Sequence, residues 1–361
     1  MQALYLLSLE PVSETLADPN SYGFRCFRAC RDAIAQCFLS LSRKRSGRWV
    51  LDADIKACFD GISHQWLLDH ISMEKEILEK WLKCGFIEKR KLFPTRAGSP
   101  QGGVISPTLC NMTLDGLEKA VKDASQRRDK VNFIRYADDF VVTSATKEHL
   151  ENVILPVIKK FLSPRGLILS EEKTRIVHID EGFDFLGQNL RKYRGKLITI
   201  PVKDKVKVFK EKVKNIIVEY RGQKTEVMIK RLNPIIRGWA NYHRHIQAGT
   251  AFNRLGLIFR DALFKWAKRR HRRKTPKWIR NHYWNISRDK LHFSCVVKTK
   301  DNKTKVLQLL NPSDIQLARY IKVKGRADAF NPEYQEYFQY RKGAANMTLI
   351  ERRGLSAAGL R

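Results

Sequence analysis

Residues 132–143, Asn-Phe-Ile-Arg-Tyr-Ala-Asp-Asp-Phe-Val-Val-Thr, set two adjacent aspartates in the middle of a strand-like run, with β-branched and aromatic residues on both sides. Burying carboxylates without partners costs several kcal/mol unless a metal or a base answers them, and local rules are broken mainly at functional sites. Any fold this chain adopts must bring a cation or a basic group to Asp138 and Asp139.

A second strand-like run, Trp-Val-Leu-Asp-Ala-Asp-Ile at 49–55, carries alternating acids. If the two strands are neighbours, Asp54 joins Asp138 and Asp139 at one sheet edge. Two-metal phosphoryl transfer needs about three carboxylates bridging ions roughly 3.5–4 Å apart. Asp54 by itself reads equally as a solvated acid at a strand end.

Helical spacing marks 32–41, 66–81 and 147–161, the last followed by a turn at Pro164-Arg165-Gly166 and strand-like runs at 167–170 and 175–179. The second half changes character. Residues 1–190 hold 27 basic and 25 acidic side chains, whereas 191–361 hold 42 and 12, so nearly all of the net charge of +32 lies in the second half. Such an excess exceeds what solubility needs and points to a polyanionic partner, nucleic acid first. The seven cysteines form no CxxC pair, so neither a disulfide framework nor a zinc knuckle is indicated. No stretch approaches the ~18 apolar residues of a membrane span, and a soluble protein of the bacterial cytoplasm or an organelle interior is expected.

Tyr-Ala-Asp-Asp at 136–139, preceded by Phe-Ile-Arg, resembles the polymerase motif of reverse transcriptases, those of group II introns in particular. Asp-Ile-Lys-Ala-Cys-Phe-Asp at 54–60 is similar to the first catalytic block of that family, and 98–111 to its nucleotide- and template-contacting block. The resemblance implies an RNA-directed DNA polymerase in which Asp54, Asp138 and Asp139 hold two Mg²⁺ ions. It also places Phe59 where an aromatic selects deoxynucleotides, although a core aromatic would look the same. In the 98–111 block, Gly98, Gly102 and Gly103 allow close backbone approach, and Gln101 offers donors and an acceptor without charge. Lys173 matches a lysine near the leaving pyrophosphate, where an ammonium stabilises developing charge or donates a proton; an exposed surface lysine reads the same way. Gly-Phe-Asp-Phe-Leu-Gly at 182–187 resembles the hairpin that grips the primer end, or is an ordinary apolar hairpin.

The runs 232–242 and 266–278 resemble the thumb, or X domain, of the same family, and a helix is expected to open after Pro234. Arg237, Trp239, Tyr242 and the cluster Arg269, Arg270, Arg272, Arg273 and Lys274 are the candidate RNA contacts, since cations interleaved with aromatics neutralise phosphates and stack bases. Each tryptophan is also a candidate for helix core.

The expected fold is α+β: a reverse-transcriptase palm with partial fingers over 1–190, right-hand polymerase in type, then a mainly helical thumb/maturase domain over 191–290. A basic segment over 291–361 is expected to touch DNA. Earlier finger blocks and a C-terminal HNH nuclease have no counterpart in this sequence. The implied partners are group II intron RNA, a DNA primer or target, deoxynucleoside triphosphates and a second copy in a homodimer. A protein that binds and folds intron RNA without catalysing anything is the competing expectation, and the excess charge of the second half motivates it.

Overall fold

The computed structural model describes residues 1–361 except 89–90, 94–96, 100–101, 285–291, 299–300, 319 and 347–361. The chain forms two compact units. One comprises Met1–Leu186, Leu190–Ile198 and the stretch that starts at Tyr320; the other comprises Gly187–Asn189 and Thr199–Arg319.

The first unit is built on a four-stranded antiparallel sheet. Its order is Asn132–Tyr136, Asp139–Ser144, Trp49–Asp54, Arg175–His178. Side chains alternate across a strand, so Leu51, Ala53, Phe133, Phe140 and Val142 enter one core together with Leu109 and Leu114 of helix Ser106–Leu114 and Ile158 and Leu162 of helix Leu155–Leu162. Val50, Ile134 and Val141 alternate with these and are fully buried as well. A sheet covered on both faces explains why these strands read as continuous apolar runs rather than as alternating ones.

The run 132–143 is not one strand. Asn132–Tyr136 folds back on Asp139–Ser144 with Tyr136 opposite Asp139, and Ala137 and Asp138 make the turn. Ala137 takes a left-handed backbone, φ 58°. Two-residue hairpin turns ordinarily announce themselves with Gly or Asn, so an alanine there hides the break from the sequence. The helical pattern over 66–81 likewise divides, into His64–His70 and Lys75–Lys83. That over 147–161 runs from Lys147 to Leu162, π-helical between Leu150 and Ile154.

The second unit is mainly helical. Helix Lys203–Glu219 buries Phe209, Val213, Ile216 and Ile217 and leaves most of its lysines outside, which resolves the apolar–lysine pattern into a helical stripe. Helix Thr225–His243 starts nine residues before Pro234 and runs through it. The expected opening after Pro234 is therefore corrected: the Met228, Ile229, Leu232, Ile236 and Ala240 stripe is continuous, and its burial outweighs the one backbone bond a proline removes. Helices Gly249–Arg270 and Pro276–Tyr283 complete the core with Phe259, Leu263, Trp266, Ile279 and Tyr283. All seven cysteines are free thiols. Among the described residues no helix is long and apolar enough to cross a membrane.

Candidate active site and nucleic-acid interface

Strand register gathers the acids. Asp54 lies opposite Asp139 and Asp52 opposite Val141. Residues two apart on a strand share a face, so Asp52, Asp54 and Asp139 project from the same side, with Asp138 beside them in the turn. All four line one cavity of about 560 Å³, together with Ala53, Glu172, Lys173 and Arg175. The motifs do not point to Asp52, Glu172 or Arg175. For Asp52 a signal is present all the same: Asp-Ala-Asp at strand spacing puts both acids on one face.

The cavity is electrostatically loaded. Burial pushes Asp139 up to about 7, and Asp52, Asp54 and Asp138 add to it by repulsion. Asp138 is raised by burial and then by Asp54, and Asp52 by burial against the pull of Arg175. Two cations answer this charge. The Lys173 ammonium hydrogen-bonds Asp54, which raises its own pKa, and Arg175 Nε donates to Asp52 at 3.0 Å. Hard oxygen donors that repel one another suit a divalent cation, whose charge would relieve the repulsion. Asp54 and Asp52 are paired to Lys173 and Arg175, and among the described residues no group of three or more His, Cys, Asp or Glu side chains is set to hold a metal ion as it stands.

The other expected residues of this unit lie outside that lining. Phe59 is half-buried against the core, with its ring centroid 6.3 Å from that of Phe24. Gly98 packs on the backbone of Phe59 and Asp60: its N–H donates to the Ile62 carbonyl at 2.7 Å, and an added Cβ would lie 2.3 Å from the Phe59 oxygen. Glycine there is a packing requirement. Gly102, at φ +90°, has open space around it, and Gln101 falls outside the described residues.

In the second unit, Arg237, Arg269, Arg272, Arg273 and Lys274 are exposed. Trp239 is spent on packing, stacked on Phe209 with centroids 4.5 Å apart and planes 6° from parallel. Tyr242 is 41% exposed, edge-on to His243. Arg270 is partly committed to the fold: it donates to the Gln223 carbonyl at 2.8 Å and lies over the Trp266 ring. A groove of about 330 Å³ takes Lys214, Arg221, Lys265 and Arg269 into its lining. The basic run 268–270 also sits in the last turn of helix Gly249–Arg270, where cations are favoured by the helix dipole.

Residues 1–190 match the family model described as reverse transcriptase (RNA-dependent DNA polymerase). The chain belongs to that family. Residues 206–284 match the group II intron, maturase-specific domain, so this reverse transcriptase-family chain carries the two matches in the order its motifs suggested. Protein YkfC of Escherichia coli K12 is 30% identical over 233 residues, which is 54% of this chain and 61% of that protein. The group II intron-encoded protein LtrA of Lactococcus lactis subsp. cremoris is 25% identical over 292 residues, 58% of this chain and 48% of LtrA. This chain thus spans about half the length of the curated relatives it matches. Among solved structures, telomerase from Candida tropicalis in complex with a fragment of telomeric RNA aligns with TM-score 0.42 and 12% identity, over 76% of this chain and 55% of that one.

Proposed function

We propose that this protein is an RNA-directed DNA polymerase of the group II intron type that also binds intron RNA, with a DNA primer and deoxynucleoside triphosphates as its other substrates. One observation carries the reading: Asp54, Asp138 and Asp139 share a single cavity at the end of the central strands. The same reading puts it in a bacterial cytoplasm or an organelle interior.

In this scheme Asp54, Asp138 and Asp139 would hold two Mg²⁺ ions, which would lower the pKa of a primer 3′-hydroxyl and neutralise charge on the leaving pyrophosphate. The raised proton affinities of Asp138 and Asp139 favour that role, because crowded carboxylates relieved by a proton are relieved equally by a cation. Lys173, paired to Asp54, is within the same cavity and in this reading stabilises charge on the departing oxygen. Arg175 donates to Asp52 at the cavity wall and offsets part of the burial that raises its proton affinity. Phe59, Gln101 and Gly102 are the residues this reading assigns to the incoming nucleotide. Arg237, Tyr242 and the exposed members of the 269–274 cluster bind RNA phosphates and bases.

Extension of a DNA primer on an RNA template by the purified chain, in Mg²⁺, tests the reading. The wild type should extend and Asp138→Ala should not; equal extension by both would remove the metal-site assignment. The net +30 of residues 191–361 favours a second reading, an RNA-folding splicing cofactor without polymerase activity. Equal acceleration of splicing by wild type and Asp138→Ala, with no extension by either, selects it.

A further inference from the structure

The turn that carries Asp138 is held from behind. Gly23 lies so close that an added Cβ would be 2.3 Å from the Ala137 nitrogen. The Tyr22 N–H donates to the Arg135 carbonyl at 2.9 Å, and the Arg135 N–H to the Asn20 carbonyl at 3.0 Å. Asn111 joins the two layers: its Nδ2 donates to the Gly23 carbonyl at 2.8 Å, and its Oδ1 accepts from Arg135 Nη1, which also donates to the Ala137 carbonyl at 3.3 Å. Residues 20–23 are therefore the wall against which the left-handed Ala137 is set.

That wall continues into a strained loop. Phe24 and Phe27 both hold left-handed backbones, φ 55° and 56°, a conformation that large side chains keep only when their surroundings impose it. Arg25 of this loop is tied to Glu14 and Asp18, and the surroundings of Phe27 come in part from the far end of the chain. Arg341 Nη1 donates to the Phe27 carbonyl, its Nη2 pairs with Asp32 at 2.6 Å, and its Nε donates to the Ile321 carbonyl at 3.1 Å. Asp32, fully buried, also accepts from the Val323 N–H at 2.7 Å and the Tyr320 hydroxyl at 3.0 Å. Arg28 donates to the carbonyls of Gly325 and Ala327 at 2.8 and 3.1 Å. The rings of Phe27 and Phe338 lie 4.9 Å apart.

We propose that Arg341 is a positioning residue for the Ala137–Asp138 turn, acting through the loop Asn20–Arg28 that it clamps onto the back of that turn. Buried charges are a poor way to gain stability and a good way to fix geometry, and three are spent here, on Arg28, Asp32 and Arg341. The stretch from Tyr320 to Arg341 is a strap on the carboxylate site. The consequence for catalysis rests on the polymerase reading above; the mechanical link does not.

Two measurements on the full-length chain test it together. In Arg341→Met, kcat for primer extension should fall about 10- to 100-fold, the range for residues that orient metal ligands, while KM for the nucleotide and RNA affinity stay within about twofold. Arg341→Lys, which keeps the charge, should recover part of the loss. Hydrogen exchange should speed up at least about tenfold at the Tyr22 and Arg135 amides and stay unchanged in helix Gly249–Arg270. Unchanged kcat and unchanged exchange in folded Arg341→Met overturn the proposal. If that variant does not fold, Tyr320→Phe, which removes a hydroxyl and no charge, should give a several-fold version of both effects, and no effect on either overturns it. Should the wild type not extend a primer, the polymerase reading fails and exchange at Tyr22 and Arg135 alone decides the strap.

Discussion

The carboxylate cavity of the first unit and the basic helices of the second use charge in opposite ways. The first 190 residues are nearly neutral, with 27 basic and 25 acidic side chains, yet four buried or half-buried aspartates line one cavity, three of them with raised proton affinity. Residues 191–361 carry 42 basic against 12 acidic side chains, with Arg269, Arg272, Arg273 and Lys274 left in solvent. Concentrated charge in a low-dielectric pocket acts over a few ångströms on one bond, and it depends on geometry. Dispersed charge on a surface acts on a polyanion by releasing counterions, and it depends on number and salt. Perturbing one region should therefore leave the signature of the other intact.

The largest expected effect is chemical. Asp54→Ala should lower primer extension by more than about 100-fold, since even partners of metal ligands cost 10- to 100-fold when removed, while the affinity for RNA at constant moderate salt changes by less than about twofold. A matching loss of RNA affinity would erase the distinction between the two regions. Second comes pH. The fold favours the protonated form of Asp139, so the native state keeps a proton that the unfolded chain gives up above its ordinary value of 3.8. That contribution is complete below pH 4, drains away as pH rises toward about 7, and is flat beyond. At about 1.36 kcal/mol per tenfold change in proton affinity, the loss is on the order of 4 kcal/mol at full effect. Thermal unfolding in EDTA should show wild type losing stability between pH 4 and 7 more steeply than Asp139→Asn; parallel curves would mean that Asp139 is not the group under stress.

Packing gives the next effect down. Gly98→Ala drives a Cβ to 2.3 Å from the Phe59 carbonyl oxygen and 2.5 Å from the Asp60 Cα, at a backbone φ of +81°. Overpacking and left-handed strain together should cost roughly 2–4 kcal/mol in urea unfolding. Gly102→Ala, with nothing within 4 Å, should cost about 1 kcal/mol from strain alone. Equal costs at the two glycines would place the close approach elsewhere.

How much of this was legible in advance varies with the physics. Two strands of the sheet were legible as apolar runs interrupted by acids, because a run of β-branched and aromatic residues and an acidic pair inside it are local facts. The hairpin at Ala137–Asp138 was not, because an alanine forced into a left-handed turn carries no local mark; its support comes from Gly23 and Arg135. Arg175 and Glu172 joined the cavity through a strand pairing that spans more than a hundred residues. Pro234 misled for the converse reason: tertiary burial on both sides of it overrode a strong local stop signal. Trp239 shows the same limit, since its stacking partner Phe209 lies on another helix.

The smallest effect separates two arginines of one cluster. Arg270 donates to the Gln223 carbonyl and covers the Trp266 ring, whereas Arg272, two residues on, extends into solvent. A guanidinium that satisfies a carbonyl and shields an indole contributes packing as well as charge, so Arg270→Ala should lower stability by about 1 kcal/mol. Arg272→Ala should leave stability within about 0.5 kcal/mol. On RNA the ranking reverses. Removing one cation that neutralises a phosphate of a single strand reduces the slope of log affinity against log salt by about 0.7, and Arg272, exposed and able to follow a phosphate, should show that reduction in full. Arg270, tethered to Gln223, should show less. If both substitutions alter the salt slope alike and neither alters stability, the 269–274 run is a uniform cationic surface, and the contrast between structural and binding arginines in the second unit disappears.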